Sequence, residues 1–242
     1  MKIISHGCAK VRQANVIVCA QVYLYEIKPR ELLLVDCAYA NDLIEYTDRA
    51  KLDFDLIKLN GSVGEFLKGI KYDSIKVLLT HFHPDHIGEL NGLKNCKAVY
   101  CNLPAFNKYM SMNEVEQREY MFLGEIFKQS PHSYLNALSN PVYGTLLNNY
   151  FDNVYDVFGN MEVLAVNLPG HVNDQLGYYF PKTNVFYIGD AIFTIEDIYN
   201  GELHPFMKSA AKNIQLANTT LNKLIEIDKV EEIRIVPTHY KK

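Results

Sequence analysis

The chain has no dense tract of lysine and arginine, and its 24 basic residues are outnumbered by 28 acidic ones, giving a net charge of −4. Phosphate backbones are held by clustered cations, so no nucleic-acid partner is expected. No apolar run is long enough to span a bilayer, which argues against a membrane partner. Met1-Lys2-Ile3-Ile4-Ser5-His6 lacks the apolar core of a secretory signal, and the expected location is cytoplasmic. Cysteine is sparse and unpatterned: Cys8, Cys19, Cys37, Cys96 and Cys101 are odd in number and contain no CxxC pair. In a reducing compartment they read as small buried apolar residues, Cys37 included. There is no short-period repeat and no low-complexity stretch.

What is present is an ordinary globular composition. The 242 residues, 48% of them hydrophobic, suit a single α/β domain over 1–242 with one sizeable insertion. Val16 to Ile27 and Glu31 to Asp36 flank the turn Lys28-Pro29-Arg30 and read as an antiparallel hairpin. Ser62-Val63-Gly64-Glu65 fits a capping box opening a helix. Further strands are expected at 75–80, 98–101, 162–167, 176–180, 184–188 and 232–236, with a short helix over 85–93. Met207, Ala210, Ile214, Ala217, Leu221 and Leu224 form one helical stripe of core type. Leu103 to Asn160 is rich in Tyr, Phe, Met and Asn. It reads as a helical insertion or lid, with Val115, Glu119, Phe122, Leu123, Ile126 and Phe127 on one face. Ordinary packing on a sheet or at a dimer contact is the competing reading, and a homodimer stays open.

The chemistry concentrates at strand ends. His81-Phe82-His83-Pro84-Asp85-His86 places four ligand-type side chains within six residues, directly after the apolar run 75–80. Strand alternation sends His81 and His83 to one side and Phe82 to the other. Pro84 turns the chain, so Asp85 and His86 can reach a second, neighbouring ion. Pro169-Gly170-His171, Gly189-Asp190 and Pro237-Thr238-His239 each put a ligand-type residue just past an expected strand, where α/β folds gather their sites. His6, His132 and His204 lack that context and read as structural or surface residues.

HFHPDH, PGH, GD and PTH, in this order, resemble the HxHxDH…H…D…H signature of the metallo-β-lactamase superfamily. The resemblance implies an αββα sandwich of two mixed sheets with flanking helices. It further implies two metal ions: His81, His83 and His171 on the first, Asp85, His86 and His239 on the second, Asp190 bridging both. Zinc suits such ligands best, with iron or manganese as alternatives. The implied activity is that of a dinuclear-metal hydrolase. A bridging hydroxide cleaves an ester, thioester or lactone, and Asp85 orients it or shuttles a proton. A phosphodiesterase with Lys108, Arg118, Lys128, Lys208 or Lys212 near the site is the alternative, and a non-turnover ligand sensor is another. The aromatic 103–160 segment favours a small-molecule substrate with an apolar or aromatic portion. Two departures from family patterns stand out. Asp36-Cys37-Ala38 replaces the usual Asp-x-Gly, and Phe193 stands where homoserine lactonases often carry Tyr. The glutathione-binding C-terminal extension of glyoxalase II relatives has no counterpart before Lys242, so a glutathione thioester is not the expected substrate.

Overall fold

The computed structural model describes residues 2–11, 16–39, 54–58 and 63–240, with residues 2–11, 16 and 54–58 described by backbone alone. Ser62, the expected helix cap, and the side chain of His6 lie outside the described residues. The chain divides into two compact units between Leu135 and Asn136.

The first unit is built on a seven-stranded mixed sheet. Its strands are β1 (Lys2–Val11), β2 (Val16–Lys28), β3 (Glu31–Val35), β4 (Phe54–Lys58), β5 (Ser74–Leu78), β6 (Cys96–Cys101) and β7 (Tyr134–Asn136), in the order β4-β1-β2-β3-β5-β6-β7. The expected hairpin is present: β2 and β3 are antiparallel, with Tyr23 opposite Val35 and Leu24 opposite Leu34. Strands β3, β5 and β6 are mutually parallel. Leu32, Leu33, Leu34 and Val35 are all buried, the continuous apolar run that a parallel strand covered on both faces requires. Parallel pairing also brings the C-terminal ends of β3 and β5 side by side, Val35 opposite Leu78. That register sets Asp36 beside Thr80. Helices α1 (Val63–Leu67), α2 (Pro84–Ile87), α3 (Leu103–Ser111), α4 (Glu114–Glu119) and α5 (Gly124–Lys128) complete this unit.

The second unit carries a six-stranded mixed sheet. Its strands are β8 (Pro141–Val142), β9 (Val154–Asp156), β10 (Leu164–Asn167), β11 (Leu176–Phe180), β12 (Val185–Gly189) and β13 (Arg234–Pro237), ordered β13-β12-β11-β10-β9-β8. Only β12 and β13 pair in parallel among the described strands of this sheet. Gly189 stands opposite Pro237, so Asp190 and His239 leave neighbouring strand ends. Helices α6 (Glu196–Asn200), α7 (Pro205–Ala210) and α8 (Ile214–Val230) follow β12. Among the described residues no helix is long and apolar enough to cross a membrane.

Four expectations differ in detail. α-Helical structure in the 103–160 segment ends at Lys128, and the remainder carries the short strands β7, β8 and β9 and a single 3-10 turn over Leu146–Asn149. Val115 is 64% exposed, and the buried residue of α4 is Gln117. Its Nε2 donates to the carbonyls of Tyr109 and Met112 at 3.0 and 3.2 Å. A polar side chain satisfied by backbone takes the place the apolar pattern assigned to Val115. The single stripe from Met207 to Leu224 is two helices, broken at Ala211–Asn213 because the amides of Lys212 and Asn213 donate outside the helix. Cys19 is disulfide-bonded rather than a free apolar filler, at the position on β2 that stands opposite Cys8 of β1. Cys37, Cys96 and Cys101 remain thiols. Burial, with Asp36 adding to it, pushes the Cys37 thiol well above its ordinary pKa, which keeps it protonated and unreactive.

The turn after β3 keeps the left-handed backbone without the glycine. Asp36 and Ala38 have φ of +60° and +52°, a conformation costing an L-residue roughly 1–2 kcal/mol. Ala38→Val should destabilise the protein by about 2 kcal/mol or more, since a β-branched residue resists positive φ. Ala38→Gly should stay within about 1 kcal/mol of neutral, relief of strain offsetting lost methyl burial and added chain entropy. Chemical denaturation of the two variants measures this asymmetry, and equal losses would contradict it.

Candidate metal centre

Asp36 organises the ligands of the first unit. Its carboxylate is buried and accepts three hydrogen bonds: Oδ1 from the Thr80 amide at 2.8 Å, Oδ2 from Thr80 Oγ1 at 2.9 Å and from His86 Nδ1 at 2.8 Å. Burial pushes the Asp36 carboxyl above its ordinary pKa, against the pull of His86 and the Thr80 bonds. Thr80 spends its one hydroxyl proton on Asp36. His81 Nδ1, 3.1 Å from the same oxygen, must therefore be the donor in that contact. Both His81 and His86 then carry their proton on Nδ1 and present Nε2 as a lone pair. This is the tautomer in which an imidazole ligates a metal, fixed by carboxylate and hydroxyl partners behind it.

The backbone clasps the same region. Cys37 N donates to His86 O at 2.7 Å, Gly88 N to Ala38 O at 2.9 Å and Glu89 N to Cys37 O at 3.2 Å. Pro84 opens α2 after an extended His83 at φ −69° and ψ 155°, which suits a residue preceding proline. The ring of His81 lies 4.5 Å from that of His83 and 3.9 Å from that of His86. Asp85 Oδ2 sits 3.6 Å from His86 Nε2. All four ligand-type residues of this stretch are buried.

The second unit presents its own set. Past β10, Gly170 adopts φ +146° against α8, where an added Cβ would fall 2.3 Å from Ala217 Cα and 2.5 Å from its nitrogen. The amides of Asn213 and Lys212 donate to the carbonyls of Gly170 and His171, each at 3.0 Å. Thr220 Oγ1 donates to Pro169 O at 2.7 Å. The start of α8 is thus bonded to every carbonyl of Pro169-Gly170-His171. Past β13, Thr238 N donates to Gly189 O at 3.0 Å, and Thr238 Oγ1 meets the Tyr187 hydroxyl at 3.1 Å. One oxygen of Asp190, Oδ2, then lies 3.0 Å from His239 Nε2 and 3.6 Å from His171 Nε2. Asp190, His171 and His239 are all buried.

Buried imidazoles and carboxylates, with the tautomers of His81 and His86 fixed from behind, are ligand types that fit a divalent ion of borderline softness. The remaining histidines take other work. His132 Nε2 bonds Leu90 O at 2.9 Å, and His204 Nδ1 accepts from Phe206 N at 3.1 Å as the cap of α7. The cations considered for phosphate binding are exposed. Arg118 pairs with Glu114 at 3.8 Å and Lys208 with Glu202 at 3.0 Å.

The metallo-beta-lactamase superfamily profile matches residues 20–239. The chain belongs to this superfamily. It is 26% identical over 147 residues to a hydroxyacylglutathione hydrolase of Bartonella henselae, a match covering 60% of this chain and 46% of that protein. The chain thus spans about half the length of that curated relative. Among solved structures, an N-acyl homoserine lactone hydrolase with N-hexanoyl-L-homoserine bound at its catalytic metal center superposes with a TM-score of 0.66 at 17% identity. That superposition covers 98% of this chain and 91% of the hydrolase. The dizinc quorum-quenching lactonase AidC gives a TM-score of 0.61 at 14% identity, over 98% of this chain and 86% of its own. At these identities the likeness shows the fold, two mixed sheets with helices, as the resemblance implied.

Asp36 and Thr80 are the residues that motif reading did not assign to the site. Asp36 carried a signal, its place at a strand end in an Asp-x-Gly-like turn. Thr80 carried none beyond preceding His81.

The close approach of Gly170 to Ala217 sets a prediction. Gly170→Ala should cost at least about 2 kcal/mol, because the obstructing atoms are helix backbone and cannot rotate away. A thermal melt unchanged within error would refute this account of the His171 loop.

Proposed function

We propose that the chain is a metal-dependent hydrolase acting on an ester, thioester or lactone, with zinc as its metal. His81, His83 and His171 would hold one ion, and Asp85, His86 and His239 a second. Asp190 would bridge them. One observation carries the reading: His171 Nε2 and His239 Nε2, assigned to different ions, flank the same oxygen of Asp190 at 3.6 and 3.0 Å. A carboxylate oxygen shared by two such imidazoles supports a bridging role for Asp190. The fold shared with a dizinc lactonase supports it further.

Ions held by these residues would supply Lewis acidity, which would acidify water and polarise a scissile carbonyl. The protein supplies the rest. Asp36, through His86 and through Thr80 to His81, fixes which imidazole nitrogen faces the ions. Asp85, buried beside His86, would orient the attacking water and could accept its proton. Phe193 stands three residues beyond Asp190, its ring centroid 5.6 Å from that of His239. It offers no hydroxyl to protonate a departing oxygen. A thiolate leaves without that help far more readily than an alkoxide, so the site is best suited to thioesters or activated esters. The curated relative, a hydrolase of a glutathione thioester, is in line with that preference.

Purified protein should carry about two ions per chain, and chelation should abolish hydrolysis. Asp190→Ala should lower kcat/KM by about a hundredfold or more while the fold survives by circular dichroism. Full activity in metal-free protein would overturn the proposal. On a panel of acyl thioesters, lactones and bis-aryl phosphates, thioesters should be fastest. Phe193→Tyr should raise the lactone rate relative to the thioester rate. A phosphate diester turned over faster than any acyl substrate would assign the metal pair to phosphoryl chemistry instead.

A further inference from the structure

The residue between the first two histidines is held as firmly as the histidines themselves. Ladder pairing of β5 ends at Leu78. Leu79 N still reaches Tyr100 O, and Thr80 N reaches Asp36. His81, Phe82 and His83 lie past both strand partners, where a chain depends on its side chains for order. Phe82 is 4% exposed and belongs to the buried apolar cluster of this unit. Its ring has four aromatic neighbours, Phe106, Tyr109, Phe122 and Phe127, with centroids at 5.8, 5.9, 5.8 and 5.9 Å. Three of the four meet it nearly edge to face, at 78°, 79° and 83°.

The four neighbours also pack on one another. Phe106 lies 5.2 Å from Phe127, Phe127 lies 5.0 Å from Phe122, and Phe122 lies 5.3 Å from Tyr109. They form a closed cage contributed by α3, α5 and the turn between α4 and α5. Gln117 ties that turn to α3 through the Tyr109 carbonyl, and Gly124 leaves room for its amide, since a Cβ there would fall 2.6 Å from Gln117 Oε1. Aromatic rings in edge-to-face contact resist rotation and sliding. Any twist of the backbone that separated or tilted the His81 and His83 rings would have to drag Phe82 through this cage.

We propose that Phe82 is a positioning residue, and that its aromatic cage sets the relative placement of His81 and His83 for the first ion. The inference rests on the ligand assignment above. It gives the helices over 103–128 a role as a buttress for metal retention, exerted by residues that never touch the ion.

The test is metal affinity, read without any substrate. Zinc binding to wild type, Phe82→Ala, Phe82→Leu, Phe127→Ala and the Phe82→Ala/Phe127→Ala pair is measured by competition with a chromophoric chelator. Cobalt-loaded forms are compared by their visible d–d spectra. Phe151→Ala, at a buried aromatic of the second unit, controls for general loss of stability. Phe82→Ala should weaken zinc about tenfold and alter the cobalt spectrum. Phe82→Leu should recover most of the affinity, and the pair should lose less than the product of the single losses. Phe151→Ala should bind as wild type. Should Phe82→Ala not fold, Phe82→Leu and Phe127→Leu carry the same comparison, each expected to weaken zinc measurably. Wild-type affinity and an unchanged cobalt spectrum in the folded Phe82 variants would overturn the inference and leave the ligand assignment standing. A wild-type protein that binds no zinc would instead remove the assignment, and the inference with it.

Discussion

An imidazole binds a metal through the lone pair of one ring nitrogen, so whatever holds the proton on the other nitrogen controls the ligand. In the first unit that control converges on Asp36. Its carboxylate accepts a hydrogen bond directly from His86 Nδ1 and reaches His81 through the Thr80 hydroxyl. Keeping a carboxylate away from water is expensive, and its pKa rises accordingly. The three hydrogen bonds it accepts offset that cost. Removing Asp36 would do more than delete a contact, because Thr80, His81 and His86 would all lose the group that orders their protons.

The same economy appears in the backbone. Asp36 and Ala38 both sit at positive φ, and strain of this kind persists only where surrounding bonds over-determine it. Here the bonds are visible: Cys37 and Ala38 exchange three backbone hydrogen bonds with His86, Gly88 and Glu89. A glycine would adopt this turn without strain. Alanine adopts it because the parallel register of β3 and β5 already brings the two ends together, and the clasp closes between them. The turn therefore forms without a glycine, with the strain absorbed by the clasp.

Much of this was legible in the residues alone. Few side chains ligate metals well, so His81, His83, Asp85, His86, His171, Asp190 and His239 stood out as candidates by type and by their place after apolar runs. Strand positions followed from β-branched and apolar runs bounded by turn residues. What could not be read depended on contacts across the chain. Asp36 acts on His86 because two strands are parallel, a pairing invisible in either segment. The stripe over 207–224 has helical spacing throughout, yet the helix breaks where Lys212 and Asn213 turn their amides to the His171 loop. Val115 fits the apolar face by spacing, but Gln117 finds backbone carbonyls there and takes the buried position. Cys19 is disulfide-bonded, and the backbone register that sets it opposite Cys8 is encoded in no spacing pattern.

Low identity with retained fold fits this division of labour. At 17% identity to the superposed lactone hydrolase, few core residues can be shared, whereas the requirements at the strand ends are narrow. A parallel pair must end in register, as β3 with β5 and β12 with β13 do. A helix must be able to approach a glycine backbone, as α8 does at Gly170. Cores of suitable volume and pattern are interchangeable within limits, but neither of these conditions tolerates substitution by size alone. Specificity then has to reside in residues that stand close to the ligands without serving these conditions. Phe193 is one: it contacts His239, His204 and Phe206 through its ring alone, while its amide is tied to Asp197. The backbone at that position is fixed and the ring's substituent is not, so under the proposed function a single hydroxyl there would change which leaving group the site handles without disturbing the proposed ligands.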